Sequence, residues 1–273
     1  MPSTTRRPVI PGMILLFLAF TALLCALVFI MGGSPLGRLP AAAYASTSPT
    51  DASAEGSAQD HSGAAPMACV VIDAGHGGED GGASSAVGLV EKEVNLSVAF
   101  ALRDLCETAG IPVVMTRTED KLLYDRNVDF QGRKKVLDLA ARRLAAEKTA
   151  ALHDGNCLFV SIHMNAFPQP QYSGMQVWYG TGDPRSAEVA EAIQTTSRAL
   201  MPENTRQIKA AGSNIYLLDR IKTPAVLVEC GFLSNPADAQ RLSEEAYRRA
   251  IATAIFCGIA PYIGGEGMSG FEK

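Results

Sequence analysis

Residues 70–76 read VVIDAGH, an apolar run that ends in an acid, a glycine and a histidine. Two similar runs follow it, LFVSIH at residues 158–163 and AVLVE at residues 225–229. Each run is short, contains β-branched residues and is bounded by glycine, proline or polar residues, which is typical of a buried strand. In an open parallel sheet, ligands bind beyond the carboxyl ends of the strands. We therefore predict that His76, His163 and Glu229 converge on one metal site.

Strand-like and helix-like segments alternate around these runs. Helical spacing is found at residues 91–109, 133–150 and 184–201, and Asn235-Pro236 is predicted to open a last helix that runs to about residue 260. Further strands are predicted at residues 111–116, 174–179 and 213–218. This alternation predicts a three-layer α/β/α domain with a mostly parallel central sheet. One side of the helix at 133–150 is predicted to be apolar and carries Val136, Leu137, Leu139, Ala140 and Leu144.

The N-terminal region contains one segment that is suited to a membrane. Residues 13–31 carry no charge and follow Arg6 and Arg7. Their length is close to the about 20 residues that span a bilayer, and the arginine pair predicts a cytoplasmic N-terminus. We interpret residues 1–32 as an N-terminal anchor in the cell membrane, with the folded domain outside the cytoplasm. The alternative is a signal peptide cleaved after Ala45, which would release a secreted protein.

The rest of the chain divides by composition. Residues 33–66 are rich in alanine, serine, glycine, proline and threonine and are predicted to be a flexible tether. Residues 67–262 are predicted to form the globular domain, and residues 263–273 a disordered tail. The net charge of −4 gives no basic surface for nucleic acid, so no nucleic-acid partner is expected.

The six cysteines do not form a recognisable framework. No C-x-x-C spacing occurs, and Cys25 lies in the predicted anchor, which leaves an odd number in the exported part. Cys69, Cys157 and Cys230 lie in strand-like runs. We predict that they are buried free thiols that pack as small apolar residues.

The polar residues around the predicted strand ends favour a metal over a phosphate. His76 lies in a glycine-rich turn, but no phosphate-binding motif is present, and Glu79 and Asp80 would repel an anion. At the start of the following helix, Glu91 and Glu93 point in different directions, and spacing does not choose between them. Two histidines and one glutamate suit Zn²⁺ and leave a position for water. A nearby carboxylate can take a proton from that water, which is the chemistry of amide hydrolysis.

Four motifs carry a resemblance to a known family, and they are IDAGHGG (72–78), EKEVNL (91–96), SIHMNA (161–166) and VECGFLSN (228–235). Over about residues 68–260 the chain resembles the zinc-dependent N-acetylmuramoyl-L-alanine amidases of the Amidase_3 type. The resemblance implies that His76, Glu91 and His163 hold one Zn²⁺ and that Glu229 is the catalytic acid and base. It also implies a peptidoglycan substrate, cleaved between N-acetylmuramic acid and L-alanine, and a structural role for Arg117.

The organisation of the chain resembles one subtype more closely. A short anchor and a single catalytic domain, with GRKK at 132–135 and NTRQ at 204–207, are similar to the membrane-anchored amidases of spore-forming bacteria. Those enzymes prepare cortex peptidoglycan for muramic-δ-lactam formation, so the resemblance implies a role in sporulation and germination and a possible activating protein partner. The alternatives are a zinc carboxypeptidase acting on stem peptides and a catalytically silent wall-binding protein.

Overall fold

The computed structural model describes residues 66–125, 127 and 131–264. Its centre is a six-stranded sheet with the order β2-β1-β3-β6-β4-β5. The strands are β1 (Cys69–Ala74), β2 (Val113–Met115), β3 (Cys157–Asn165), β4 (Gln176–Tyr179), β5 (Lys209–Ala210) and β6 (Ala225–Phe232). The first four strands of that order are parallel to one another, whereas β4 is antiparallel to β6 and parallel to β5. The prediction of a mostly parallel sheet is confirmed.

Helices cover both faces of the sheet, which confirms the three-layer prediction. They are α1 (Glu91–Thr108), α2 (Lys134–Ala151), α3 (Arg185–Leu200), α4 (Tyr216–Arg220), α5 (Pro236–Ser243) and α6 (Glu245–Ile259). The apolar cluster on one face includes side chains of α1, α3 and α6, and the smaller cluster on the other face includes side chains of α2 and α4. Successive strand residues point to opposite faces, so Val70 and Ile72 join the first cluster and Val71 joins the second. Both faces being covered explains why the strands read as continuous apolar runs.

Two predicted elements differ from the structure. The strand predicted at 213–218 is wrong, because a helical turn there buries Leu217, Leu218 and Ile221 on one side. The single helix predicted after Asn235-Pro236 is divided into α5 and α6 by Glu244, whose backbone is extended. The predicted start of that helix is confirmed, since the Asn235 side chain accepts hydrogen bonds from two backbone N–H groups of α5.

The apolar face predicted for α2 is confirmed for Leu139, which packs against the smaller cluster, and is wrong for two other residues. Val136 and Leu144 are exposed, whereas Asp138 and Arg142 are buried one turn apart. The Arg142 side chain reaches the turn that follows β1, where backbone carbonyl groups need hydrogen-bond donors, and Asp138 is its ion-pair partner. The buried side of α2 therefore includes this polar pair, which helical periodicity of apolar residues alone does not predict.

The prediction of free thiols is wrong for two cysteines. Cys69 and Cys157 are the first residues of β1 and β3, they pair directly in the parallel register, and their sulfurs form a disulfide. Their Cα atoms lie 4.9 Å apart. Register between strands so distant in sequence cannot be deduced from local pattern. Cys230 is buried and free, as predicted, and Cys106 is likewise buried and free.

The predicted anchor and most of the predicted tether lie outside the described residues. Among the helices that are described, none has the length and apolar character needed to cross a bilayer. At the other end, Ile263 is buried and pairs with Met67 beside the start of β1. The anchor at residues 1–32 stays a prediction from sequence.

We expect the disulfide to stabilise the domain, because it links residues that are 88 positions apart in the chain. The double variant Cys69→Ser/Cys157→Ser should lower the free energy of unfolding by about 2–5 kcal/mol, measured by urea denaturation. Cys257→Ser, which removes an exposed free thiol, is the matched control and should change little. Equal stability of the double variant and wild type would contradict the bond.

Candidate metal centre

Three parallel strands bring the predicted polar residues to one edge of the sheet. His76 follows β1, His163 lies near the end of β3 and Glu229 lies in β6. His163 and Glu229 are direct partners in the β3–β6 register, so their side chains emerge on the same face. The Gly75 amide donates to the Ile162 carbonyl oxygen and continues the β1–β3 pairing up to the residue before His76.

Glu91, the first residue of α1, completes this group. Its Oε1 atom lies 3.2 Å from His76 Nε2 and 3.1 Å from His163 Nδ1. One ligand atom from each of His76, Glu91 and His163 can be chosen so that all three lie within 4.8 Å of one another. Glu93 is exposed. The fold therefore places Glu91, and not Glu93, beside the two histidines.

Backbone groups fix the Glu91 carboxylate. Oε2 accepts a hydrogen bond from the Ala83 amide (2.8 Å), and Oε1 accepts one from the Met164 amide (3.1 Å). Burial by itself would raise the pKa of this carboxyl, but the neighbouring His163 and His76 outweigh burial and hold the pKa well below its usual range. Glu91 is thus an ionised carboxylate at neutral pH, as a metal ligand must be.

Two glycines make room for the ligand side chains. A Cβ atom on Gly75 would lie 2.2 Å from His163 Cε1, and one on Gly82 would lie 2.4 Å from Glu91 Oε2. Gly82 also has a φ of +68°. Real Cβ contacts are not this short, so the imidazole and the carboxylate can occupy their positions only beside glycine.

Arg142 supports the turn that carries His76. Its Nη1 atom donates to Asp73 Oδ1 (2.7 Å) and to the Ala74 carbonyl (2.7 Å), and its Nη2 atom donates to the His76 carbonyl (2.6 Å). The Nε atom donates to Asp138 Oδ2 (2.7 Å). His76 has a φ of 60°, a left-handed conformation that is uncommon for a residue with a Cβ atom. The arginine holds the carbonyl of that residue and so stabilises its conformation.

Arg117 acts on the same turn from the other side. Its Nε atom donates to the Ala74 carbonyl (2.8 Å), and its Nη2 atom donates to the Gly75 carbonyl (2.9 Å). These contacts are all with backbone, in agreement with the structural role expected for Arg117. Sequence reasoning missed Arg142, although Asp138 and Arg142 have the four-residue spacing of a helical ion pair, which was a usable signal.

Glu229 differs from Glu91 in its surroundings. The carboxyl is buried, and its Oε2 atom has no hydrogen-bond partner within the part of the chain that the structure describes. Burial raises the pKa of Glu229 to about 7. The residue lines a cavity of about 290 Å³ together with His76 and His163, and residues 214–217, at the start of α4 and just before it, also line this cavity.

The chemistry of these residues fits a bound zinc ion. Two imidazole nitrogens and one carboxylate oxygen form a donor set that Zn²⁺ prefers, and such sites keep a fourth position open. The orphaned Glu229 oxygen lies at the same cavity, where a water molecule could supply the hydrogen bond it lacks. A second group, Cys69, His153 and Cys157, has metal-like spacing at the opposite edge of the sheet, but its two sulfurs are bonded to each other.

Known proteins share this architecture. A family model described as N-acetylmuramoyl-L-alanine amidase, Amidase_3, matches residues 70–261. The germination-specific N-acetylmuramoyl-L-alanine amidase of Bacillus subtilis is 36% identical over 198 residues, which cover 72% of this chain and 81% of that protein.

Two solved amidase structures are also similar to this chain. The CwlD amidase from Clostridioides difficile, determined in complex with the GerS lipoprotein, superposes with a TM-score of 0.65 at 36% identity and covers 71% of this chain and 97% of that one. The amidase AmiC2 of Nostoc punctiforme gives a TM-score of 0.57 at 30% identity, with 71% and 96% covered.

We expect Gly75→Ala to weaken metal binding, because the added Cβ would force the His163 imidazole to move. Zinc affinity should fall about 10–100-fold, measured by competition with a chromophoric chelator. Gly81→Ala is the matched control, since its Cβ would meet only Val90 Cγ1 at 3.5 Å. If Gly75→Ala retained wild-type affinity, His163 would not be a ligand held in this position.

Proposed function

The chain belongs to the Amidase_3 family of N-acetylmuramoyl-L-alanine amidases, and we propose that it hydrolyses peptidoglycan with a zinc ion held by His76, Glu91 and His163. The bond cleaved joins N-acetylmuramic acid to the L-alanine of the stem peptide. The observation that carries the proposal is the convergence of two imidazoles and an ionised carboxylate beside a second, unpaired carboxyl group.

Each residue has a distinct task in this mechanism. When bound, zinc supplies a Lewis acid that polarises the lactyl carbonyl and lowers the pKa of water. Glu229 accepts a proton from the attacking water through its unpaired Oε2 and returns that proton to the departing alanine nitrogen. Arg142 and Arg117 hold the turn after β1, which keeps His76 in its left-handed conformation.

The test is mass spectrometry of the products from purified peptidoglycan. Wild type loaded with zinc should release intact stem peptides that begin with L-alanine. Glu229→Gln should keep its zinc and lose activity by about 10²–10⁴-fold, because only the proton transfer is removed. His76→Ala should lose zinc, measured by elemental analysis.

Several outcomes would contradict this mechanism. Release of a C-terminal amino acid from the stem would identify a carboxypeptidase instead. Wild-type rates for Glu229→Gln would remove the proposed base, and full zinc retention by His76→Ala would remove that ligand. No activity with zinc and candidate partners supplied would favour a silent wall-binding protein.

A protein partner is part of the proposal. The related CwlD amidase was solved in complex with the GerS lipoprotein, and this chain covers nearly the whole of that amidase. We propose that a lipoprotein of the same kind activates this chain. Product release should then rise when the partner is added to the zinc-loaded enzyme, and an unchanged rate would exclude activation.

Similarity to a germination-specific amidase supports a role in the spore cortex. Removal of the stem peptide frees the lactyl carboxylate, which muramic-δ-lactam formation requires. A deletion strain should therefore form cortex without muramic lactam, as measured by muropeptide analysis of its spores. A normal lactam content would place the enzyme in vegetative wall turnover.

A further inference from the structure

Arg206 lies beside the catalytic face of the sheet. In the antiparallel pairing of β4 with β6, Gln176 is directly opposite Glu229. Arg206 Nη1 donates to Gln176 Oε1 (3.2 Å), and Arg206 Nε donates to the Ser173 carbonyl (2.7 Å). Residues paired in this way point to the same face, so the Arg206 guanidinium lies one side chain away from Glu229.

A register shift between β3 and β6 places the Phe232 ring against the Arg206 guanidinium. The β3–β6 register shifts between His163 and Asn165, so that Asn165 pairs with Phe232. The extra residue in β6 turns Phe232 to the face of Glu229. The Arg206 guanidinium stacks over the Phe232 ring at 4.4 Å from its centroid.

Two exposed aromatic side chains pack next to Phe232 and Arg206. Phe167 and Tyr172 have their ring centroids 5.4 Å apart, Phe167 stacks on Phe232, and Arg206 lies 5.9 Å from the Tyr172 ring. Their exposed fractions are 48% and 43%. Tyr172 and Arg206 line the same surface pocket, so both side chains are accessible to one bound ligand.

Arg206 forms no ion pair with an acid among the residues that the structure describes. Within the described residues, its hydrogen-bond acceptors are neutral, and no ion pair joins it to a carboxylate. Asp238 is the acid that acts on it electrostatically, but that carboxylate is already bound to Arg241 Nη2 at 2.7 Å. A half-buried guanidinium that lies over an aromatic ring and has only neutral hydrogen-bond partners is suited to bind a carboxylate through two N–H groups.

We propose that Arg206 binds a carboxylate of the stem peptide, namely the free α-carboxylate of its second residue. This inference rests on the proposed function, which puts the scissile amide at Glu229. The second residue of peptidoglycan stems is a D-glutamate joined through its γ-carboxyl, which leaves the α-carboxylate free. Two extended residues span about 7 Å, and three span about 10 Å. The α-carboxylate of the second residue is the first free anion along the stem from the scissile amide, so it is the nearest one to a guanidinium that contacts the neighbour of Glu229.

The experiment compares two soluble substrates with the zinc-loaded full chain. One is N-acetylmuramoyl-L-alanyl-D-isoglutamyl-diaminopimelate, and the other carries D-isoglutamine at the second position. Wild type should bind the free acid more tightly, with a KM about 10–100-fold lower than for the amide. Arg206→Gln should raise the KM for the acid to that for the amide. Arg206→Lys should restore part of the preference, because the charge remains but the paired donors are lost.

Controls separate this subsite from the hydrolytic mechanism. Arg249→Gln removes an exposed arginine that is paired with Glu245 on α6, and it should keep the wild-type preference. Arg206→Gln should keep the zinc content of wild type and remain folded, as measured by its thermal unfolding. Calorimetric binding of both substrates in a Glu229→Gln background tests Arg206 without turnover.

Three further outcomes test the Arg206 subsite and the hydrolytic function separately. Equal affinity for the acid with and without Arg206 in the calorimetric test would overturn the proposal. A preference that depends on the third-residue carboxylate, detected with a substrate amidated there, would overturn the assignment to the second residue. If wild type binds both substrates but cleaves neither, the hydrolytic function fails while a preference lost in Arg206→Gln still supports the subsite.

Discussion

Arg142 is buried beneath the turn that carries His76, where its guanidinium contacts one carboxylate and two backbone carbonyls of residues 73–76. Removing an arginine from water is costly unless its charge and its donors are satisfied. Asp73 and Asp138 supply the charge. Burial by itself would lower the pKa of Arg142, but these two acids outweigh burial and raise it, so the arginine stays charged. The charged Arg142 and the turn at residues 73–76 therefore stabilise each other.

The rest of the site depends on that turn. Once Gly75 and His76 are fixed, the His163 imidazole can pack against Gly75 at a distance that no other residue would permit. Glu91 then lies between the two histidines with its second oxygen bound to a backbone amide. A left-handed histidine and close glycine contacts carry a conformational cost, and such costs are found where a site must be preorganised.

The two glutamates of the site show how location gives one residue type two tasks. Glu91 accepts hydrogen bonds and lies between imidazoles, so its carboxyl is ionised. Glu229 lies on a strand with an unsatisfied oxygen, and burial raises its pKa to about 7. The first environment suits a metal ligand, and the second suits a group that takes up and releases a proton. The antiparallel β4 then adds Gln176, and through it Arg206, to the side of Glu229.

The sequence by itself determined the parts of this protein that depend on local pattern. Continuous apolar runs identified the strands, their polar ends identified His76, His163 and Glu229, and Asn235-Pro236 marked the start of α5. The choice of Glu91 came from family resemblance, since spacing on a helix left Glu93 open. Only the tertiary structure decided the buried polar face of α2, the Cys69–Cys157 bond and the role of Arg142. The physical reason is separation along the chain: Arg142 meets Asp73 across 69 residues and Cys69 meets Cys157 across 88, and no local periodicity records which strands and helices become neighbours.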